Sequence, residues 1–141
     1  MNMKEILFEL NPSIVSVFDA FSKSPFFSED AYACRARYSI QSKLVVPKIS
    51  EEVVGALHWK LSESVDGNIL LIEQVEVVKN YQSRQIGRQL ILETERMNQG
   101  NYMVSSAYIT SPFNFSSLRM LQCSGYTRVT TYKHIKKVTP T

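Results

Sequence analysis

The chain has 141 residues, 44% hydrophobic and 21% charged, a size and balance that suit one soluble globular domain over 1–141 with a core of its own. No apolar run reaches the length of a membrane span. The start MNMKEILFELNPS, with acids at Glu5 and Glu9 and no small-residue cleavage site, argues against a secretory signal and for the cytoplasm. Up to Glu95 there are 10 basic and 13 acidic residues, whereas from Arg96 onward there are six basic residues and no acid, a basic half that suits nucleic acid, a membrane surface or a small polyanion.

In chain order, KEILFEL (4–10) alternates and predicts a strand. PSIVSVFDAFSK (12–23) carries Ile14, Val15, Phe18 and Phe21 at helical spacing, with Pro12 tolerated in the first turn, and SEDAYACRARYSIQ (28–41) predicts a second helix capped by Ser28. Three strands follow, KLVVPKI (43–49), EEVVGALHWKLS (51–62) and NILLIEQVEVVK (68–79), the last two joined by a hairpin signalled by Asp66-Gly67. A helix is expected from about Arg84 to Asn98, with Ile86, Leu90, Ile91 and Met97 on its apolar stripe and Gly100 at its exit. YMVSSAYI (102–109) predicts a strand, and NFSSLRMLQCSGY (114–126) a helix with Phe115, Leu118, Leu121 and Cys123 near one side, stopped by Gly125. YTRVTTYKHIKKV (126–138) alternates as one final strand. The order predicts a mixed α/β (α+β) sheet, with helices on both faces. Cys34 and Cys123 form no CxxC pair, and with only two histidines they predict buried reduced thiols and no metal.

The turn inside VEVVKNYQSRQIGRQLI (75–91) carries the chemistry. A strand enters a helix through a polar, basic segment, and the first N–H groups of a helix, with its dipole, favour an anion. Residues Gln82 to Gly87 can converge N–H groups on a phosphate, with Arg84 and Arg88 adding charge; the plainer alternative is a surface helix that tolerates a glycine. Neither GxGxxG nor GxxxxGK[ST] is present. Upstream, Glu73 and Glu76 interrupt an otherwise buried strand, and a period of two puts them on opposite faces. A buried carboxylate is costly, so each belongs at an edge, in a pair or facing a cleft.

With these pieces the sequence resembles the GCN5-related N-acetyltransferase (GNAT) superfamily, whose signature Q/R-x-x-G-x-G/A is followed through Gln82 and Gly87, with Gln85 in place of the middle glycine. VVGALHW resembles its third strand, IEQVEVV its fourth, and NFSSLRMLQCSGY its final helix. The resemblance implies a GNAT-like, mostly antiparallel mixed sheet and transfer of an acetyl group from acetyl-CoA to a primary amine, of a small molecule or a peptide. It implies that backbone amides of Gln82, Arg84, Gln85, Ile86, Gly87 and Arg88 hold the CoA pyrophosphate, Gln85 donating if it stays in the right-handed helical region. By the same resemblance Val75 and Val77 pair through their backbone with the pantetheine arm, while Asn114 and Ser117 contact the cosubstrate or serve as ordinary cap and surface residues.

The resemblance further implies Glu73 as general base, sharing strand parity with Val75 and Val77, with Glu76 as runner-up. Phe27 and Tyr32 are candidate acceptor contacts, and His58 a substrate contact or a structural histidine beside Trp59. Leu121 occupies the position where many relatives carry a tyrosine that protonates the departing thiolate; water, or Tyr126, Tyr108 or Tyr81, would have to replace it. The alternative is therefore a GNAT-like module that binds CoA or a protein without efficient transfer. A nucleic-acid role is the weakest of the three readings, because CoA's phosphates account for a basic rim. A homodimer is compatible with the resemblance, and no membrane partner is implied.

Overall fold

A computed structural model describes residues 6–10, 43–65, 67–77, 81, 85–108 and 115–138, with the backbone alone at Glu73, Gln74, Glu76, Tyr108, Phe115 and Ser116. Its strands are β1 (Ile6–Leu10), β2 (Lys43–Ile49), β3 (Glu52–Val53), β4 (Gly55–Ser64), β5 (Gly67–Val77), β6 (Val104–Tyr108), β7 (Thr127–Arg128) and β8 (Lys133–Lys137). Helix α1 (Ile86–Met97) lies between β5 and β6, and α2 (Phe115–Cys123) between β6 and β7. The sheet runs β1-β2-β4-β5-β6-β8-β7, with β3 joined to β2. β5 and β6 are parallel, and the other described pairs are antiparallel. The expected mixed, mostly antiparallel architecture is the one observed.

Register explains where the core sits. Leu57 lies opposite Val75, Trp59 opposite Ile72, and Ile72 beside Ala107, so these residues share one face. Onto that face α1 sets Ile86, Leu90 and Ile91, spaced so that one stripe of the helix is apolar, and α2 adds Leu121. Burial of each of these side chains contributes roughly 1.5–3 kcal/mol. Met97, expected on the stripe, packs against the same cluster. The alternate residues Leu44, Val46, Ala56 and His58 are buried on the opposite face. Both described helices pack on the first face; the helices expected at 12–23 and 28–41 lie outside the described residues.

Three expectations are corrected. The segment 51–62 is not one strand: Ser50 and Glu51, at φ 52° and 66°, form a two-residue hairpin turn between Ile49 and Glu52, so β3 folds back on β2 before β4 begins. The change of partner on β2 from β4 to β3 falls around Pro47, which has no N–H to give a ladder, and the Val54 N–H donates to the Pro47 carbonyl at 3.0 Å. The final segment is likewise two strands. The Val129 N–H donates to the Lys133 carbonyl at 2.9 Å, the Lys133 N–H donates to Thr130 Oγ1 at 3.0 Å, and the Arg128 guanidinium donates to the Thr130 and Thr131 carbonyls, which closes a turn. Third, Cys123 is exposed rather than buried, because two residues of helix carry it about 200° round the axis from Leu121. Cys34 lies outside the described residues.

Candidate functional site

β5 changes character along its length. Among the described residues its parallel ladder to β6 covers Ile69–Ile72 against Val104–Ala107, although β5 itself continues to Val77. The ladder to β4 continues but slips: Trp59 faces Ile72, while the next residue, His58, faces Gln74. Glu73 is thus the extra residue of a β-bulge, a feature that bends a strand and unsettles local pairing. The period-two count that gave Glu73 the parity of Val75 and Val77 does not run through this point; Val75 continues the face of Leu70 and Ile72 instead. In the register Glu76 lies opposite Ala56. Of the Glu73 and Glu76 side chains nothing is described. The one marked irregularity of β5 and the end of its parallel ladder therefore coincide.

Beyond β5, Tyr81 is partly buried against the core cluster, and α1 opens at Gln85. Gln85 adopts the left-handed conformation, φ 62° and ψ 19°, rather than the right-handed one its side chain favours. For a residue with a Cβ this costs about 1–2 kcal/mol. It is the conformation that glycine takes freely, so the backbone keeps the shape of a glycine turn although the glycine is gone. The Gln85 carbonyl accepts the Gln89 N–H at 3.0 Å, which leaves the N–H groups of Ile86, Gly87 and Arg88 ahead of the first intrahelical acceptor. The Gln85 side chain caps none of them, and the first turn of α1 carries no acid. Arg88 Nη1 donates to Gln85 Oε1 at 3.4 Å, while the buried Arg88 Nε has no hydrogen-bond partner among the described residues. N–H groups without an intrahelical acceptor, a positive helix end and an under-used guanidinium together make a cradle that suits a polyanion.

Gly87 is in the cradle and is also a packing position. A Cβ there would collide with the sulfur of Met120 on α2 and lie 3.8 Å from Val75 Cγ1. Its small size lets α1 approach β5 and α2 as well as any ligand. Ser117, partly buried on α2, makes an interaction of its own.

α2 ends in a Schellman motif. Gly125 takes φ 93°, the Tyr126 N–H donates to the Leu121 carbonyl at 2.9 Å, and the Gly125 N–H donates to the Gln122 carbonyl at 3.0 Å. Leu121 is 2% exposed and belongs to the core cluster with Tyr126. Tyr126, one of the candidate replacements for the acid missing at Leu121, has its hydroxyl engaged within the chain. Its hydroxyl lies 2.5 Å from Ser105 Oγ and donates to Glu95 Oε2 at 3.1 Å, near the far end of α1. Burial foremost, and then the Glu95 charge, push this phenol well above the usual tyrosine range, against the opposing pull of the Ser105 hydrogen bond. Lys136 Nζ completes the group, donating to Glu95 Oε1 at 2.8 Å and to the Ser124 carbonyl at 2.9 Å. Sequence reasoning missed this network, since Glu95, Ser105 and Lys136 carry no local signal of their meeting.

The structure therefore brings Gln85, Ile86, Gly87 and Arg88 together at the head of α1, with Val75 packed below Gly87 and the bulge residue Glu73 on the same strand. His58 is 1% exposed, in register with Gln74 beside the bulge. Gln82, Arg84, Asn114, Phe27 and Tyr32 lie outside the described residues. Trp59 is core. His134 is buried on β8, and burial foremost, then the Arg128 charge, lower its imidazole below the ordinary value, opposed by a backbone hydrogen bond at Tyr132. No group of three metal-ligating side chains occurs among the described residues.

In sequence the chain matches no family model and none of the curated proteins compared with it. In structure it is similar to an acetyltransferase from Thermus thermophilus, with a TM-score of 0.75 and 17% identity over 96% of this chain and 100% of that one. It is similar to a Desulfovibrio desulfuricans protein assigned as an acetyltransferase of the GNAT family, with a TM-score of 0.76 and 12% identity over 94% and 99%. It is also similar to the PaiA N-acetyltransferase of Thermoplasma acidophilum, solved in complex with coenzyme A, with a TM-score of 0.68 and 13% identity over 95% and 99%. The chain has the GNAT fold.

Proposed function

We propose that this chain, a single domain over 1–141 acting in the cytoplasm, is an acetyl-CoA-dependent N-acetyltransferase acting on a primary amine of a small molecule or peptide. The observation that carries the reading is Gln85: the chain bears the strain of a left-handed residue to keep a turn that leaves three helix N–H groups and Arg88 available to an anion. Strain of this kind persists where surrounding structure demands it, and it clusters at ligand sites. The PaiA structure, with the same fold, holds coenzyme A.

Acetyl-CoA fits this donor set, because its phosphates need N–H groups and positive charge, and it supplies the activated acetyl thioester. Gln85 to Arg88 hold the phosphates, with Gln82 and Arg84 assigned to the same turn. The backbone of Val75 and Val77, beyond the last rung to β6, receives the amide-containing arm, and Asn114 and Ser117 flank it. An amine that forms the new N–C bond must lose a proton, and at neutral pH it arrives mostly protonated. Glu73 accepts that proton, directly or through one water, with Glu76 as the competing carboxylate. Sulfur leaves as the C–S bond breaks and takes a proton from water or from Tyr81. Leu121 has none to give, and the Tyr126 hydroxyl is already engaged.

Glu73→Gln should preserve CoA affinity while cutting turnover by a factor of about 10² to 10⁴. Turnover is read as free thiol released from acetyl-CoA against a panel of amines from pH 6 to 9, with Glu76→Gln alongside. A Glu73 variant within about threefold of the parent throughout would remove Glu73 from the mechanism. The buried Leu121 favours a second reading, a CoA-binding module without transfer. Calorimetric CoA binding with no thiol release above the spontaneous rate from any amine would select it.

A further inference from the structure

We infer that Gln85 is a built-in competitor for Arg88: its carboxamide oxygen holds a guanidinium N–H that a phosphate of the cosubstrate would take, so residue 85 sets CoA affinity. The inference rests on the acetyl-CoA reading above and adds to it a residue role that the turn alone does not demand. The backbone at 85 requires only a left-handed residue, which a glycine would supply with no side chain at all. Where the left-handed backbone is kept on binding, the strain of glutamine cancels from affinity and bears on stability alone. The side chain is another matter.

From the head of α1 the Gln85 side chain does not cap the helix; it reaches one turn on to Arg88. At 3.4 Å the contact is at the long end for a hydrogen bond and joins a cation to a neutral amide. Arg88 Nε, buried on the same guanidinium, has no partner among the described residues, so the amide does not saturate this arginine. A phosphate is the better acceptor: it is charged, and it can engage two N–H groups of one guanidinium at once. The carboxamide is thus a weak placeholder that a phosphate must displace, and the displacement subtracts from affinity. A carboxylate at the same place would grip Arg88 harder and set a like charge beside the incoming phosphate.

The test is calorimetric titration with CoA of the full chain and of Gln85→Ala, Gln85→Gly and Gln85→Glu, each repeated with Arg88→Met. Removing this one long side-chain hydrogen bond from the guanidinium should tighten binding about two- to tenfold for both Gln85→Ala and Gln85→Gly, and Gln85→Glu should weaken it by more than about tenfold. With Arg88→Met in place, Gln85→Ala should change affinity less than about twofold. In turnover the Gln85→Ala change should appear in KM for acetyl-CoA with kcat unmoved. Thermal melting separates the backbone contribution, because Gln85→Gly relieves the left-handed strain and Gln85→Ala does not. Equal affinities for Gln85→Ala and the parent overturn the inference, as does tightening by Gln85→Gly alone or an undiminished Gln85→Ala effect beside Arg88→Met. If the parent binds no CoA, the acetyl-CoA reading falls first and this inference with it.

Discussion

The two ends of α1 treat their polar groups in opposite ways. At the C-terminal end the polar side chains are matched within the chain: Glu95 takes the Lys136 ammonium and the Tyr126 hydroxyl, Ser105 shares the same phenol, and Asn98 Nδ2 donates to the Thr94 carbonyl at 2.8 Å. At the N-terminal end the described residues supply no side-chain cap from Gln85, no acid in the first turn, a left-handed glutamine and a guanidinium nitrogen without a partner. One helix is closed at one end and open at the other. Buried polar groups left open are costly, so the end that the described residues leave unmatched is the one an external ligand would complete on the function proposed above.

The largest effect expected at the open end comes from Gly87→Val. It should abolish calorimetric CoA binding and also lower stability by about 1–3 kcal/mol through the collision with Met120. Adding Met120→Ala should restore much of the urea midpoint without restoring binding; recovery of both would mean that Gly87 serves packing alone. At the closed end, Glu95→Ala takes the counter-charge from Lys136 and one of two partners from the Tyr126 hydroxyl and should cost about 2 kcal/mol in urea unfolding, a figure already reduced for the partly exposed ammonium, with CoA affinity within about twofold of the parent. Tyr126→Phe should cost about 1 kcal/mol and leave kcat unchanged. A collapse of kcat would make Tyr126 the missing acid and break the contrast between the ends.

The smallest effect is a pH dependence from His134. Its folded pKa lies below the unfolded value, so the unfolded chain binds the proton more readily. That stabilising preference for neutral imidazole is intact above about pH 6.5 and is lost as pH falls through the folded pKa. The slope cannot exceed about 1.4 kcal/mol per pH unit for one proton, and it should disappear from urea titrations of His134→Gln.

Much of the fold was legible because its signals are local and periodic. The α1 stripe, the hairpin before Gly67 and the Gly125 stop follow from spacing and from residues that prefer special backbone angles. The strand end at Ile49 was legible, but the break at Val54 between β3 and β4 was hidden because the apolar run continues across it, and no glycine or asparagine marks the turn at Thr130–Tyr132. At the head of α1, the positions of Gly87 and Arg88 in the first turn were legible, whereas the conformation of Gln85 was not: glutamine disfavours the left-handed region, and only the demand of the turn places it there. The bulge at Glu73 was equally silent. A period-two count carries no mark for one extra residue, and the ladder to His58 and Trp59 reveals it only once both strands are in register.

The short ladder between β5 and β6 has a mechanical meaning. On one side of it, β4 and β5 are joined along nearly their whole lengths; on the other, β6 and β8 are joined from Val104 to Tyr108. Between these two plates runs a seam of slanted parallel rungs, from Ile69 to Ile72, with Ile72 and Ala107 on its two sides in the same core cluster. A load drawn across the seam should part the two plates there before either tears internally. Amide exchange should register the same order, with Ile69–Ile72 opening to the β6 side at lower free energy than the strands within each plate.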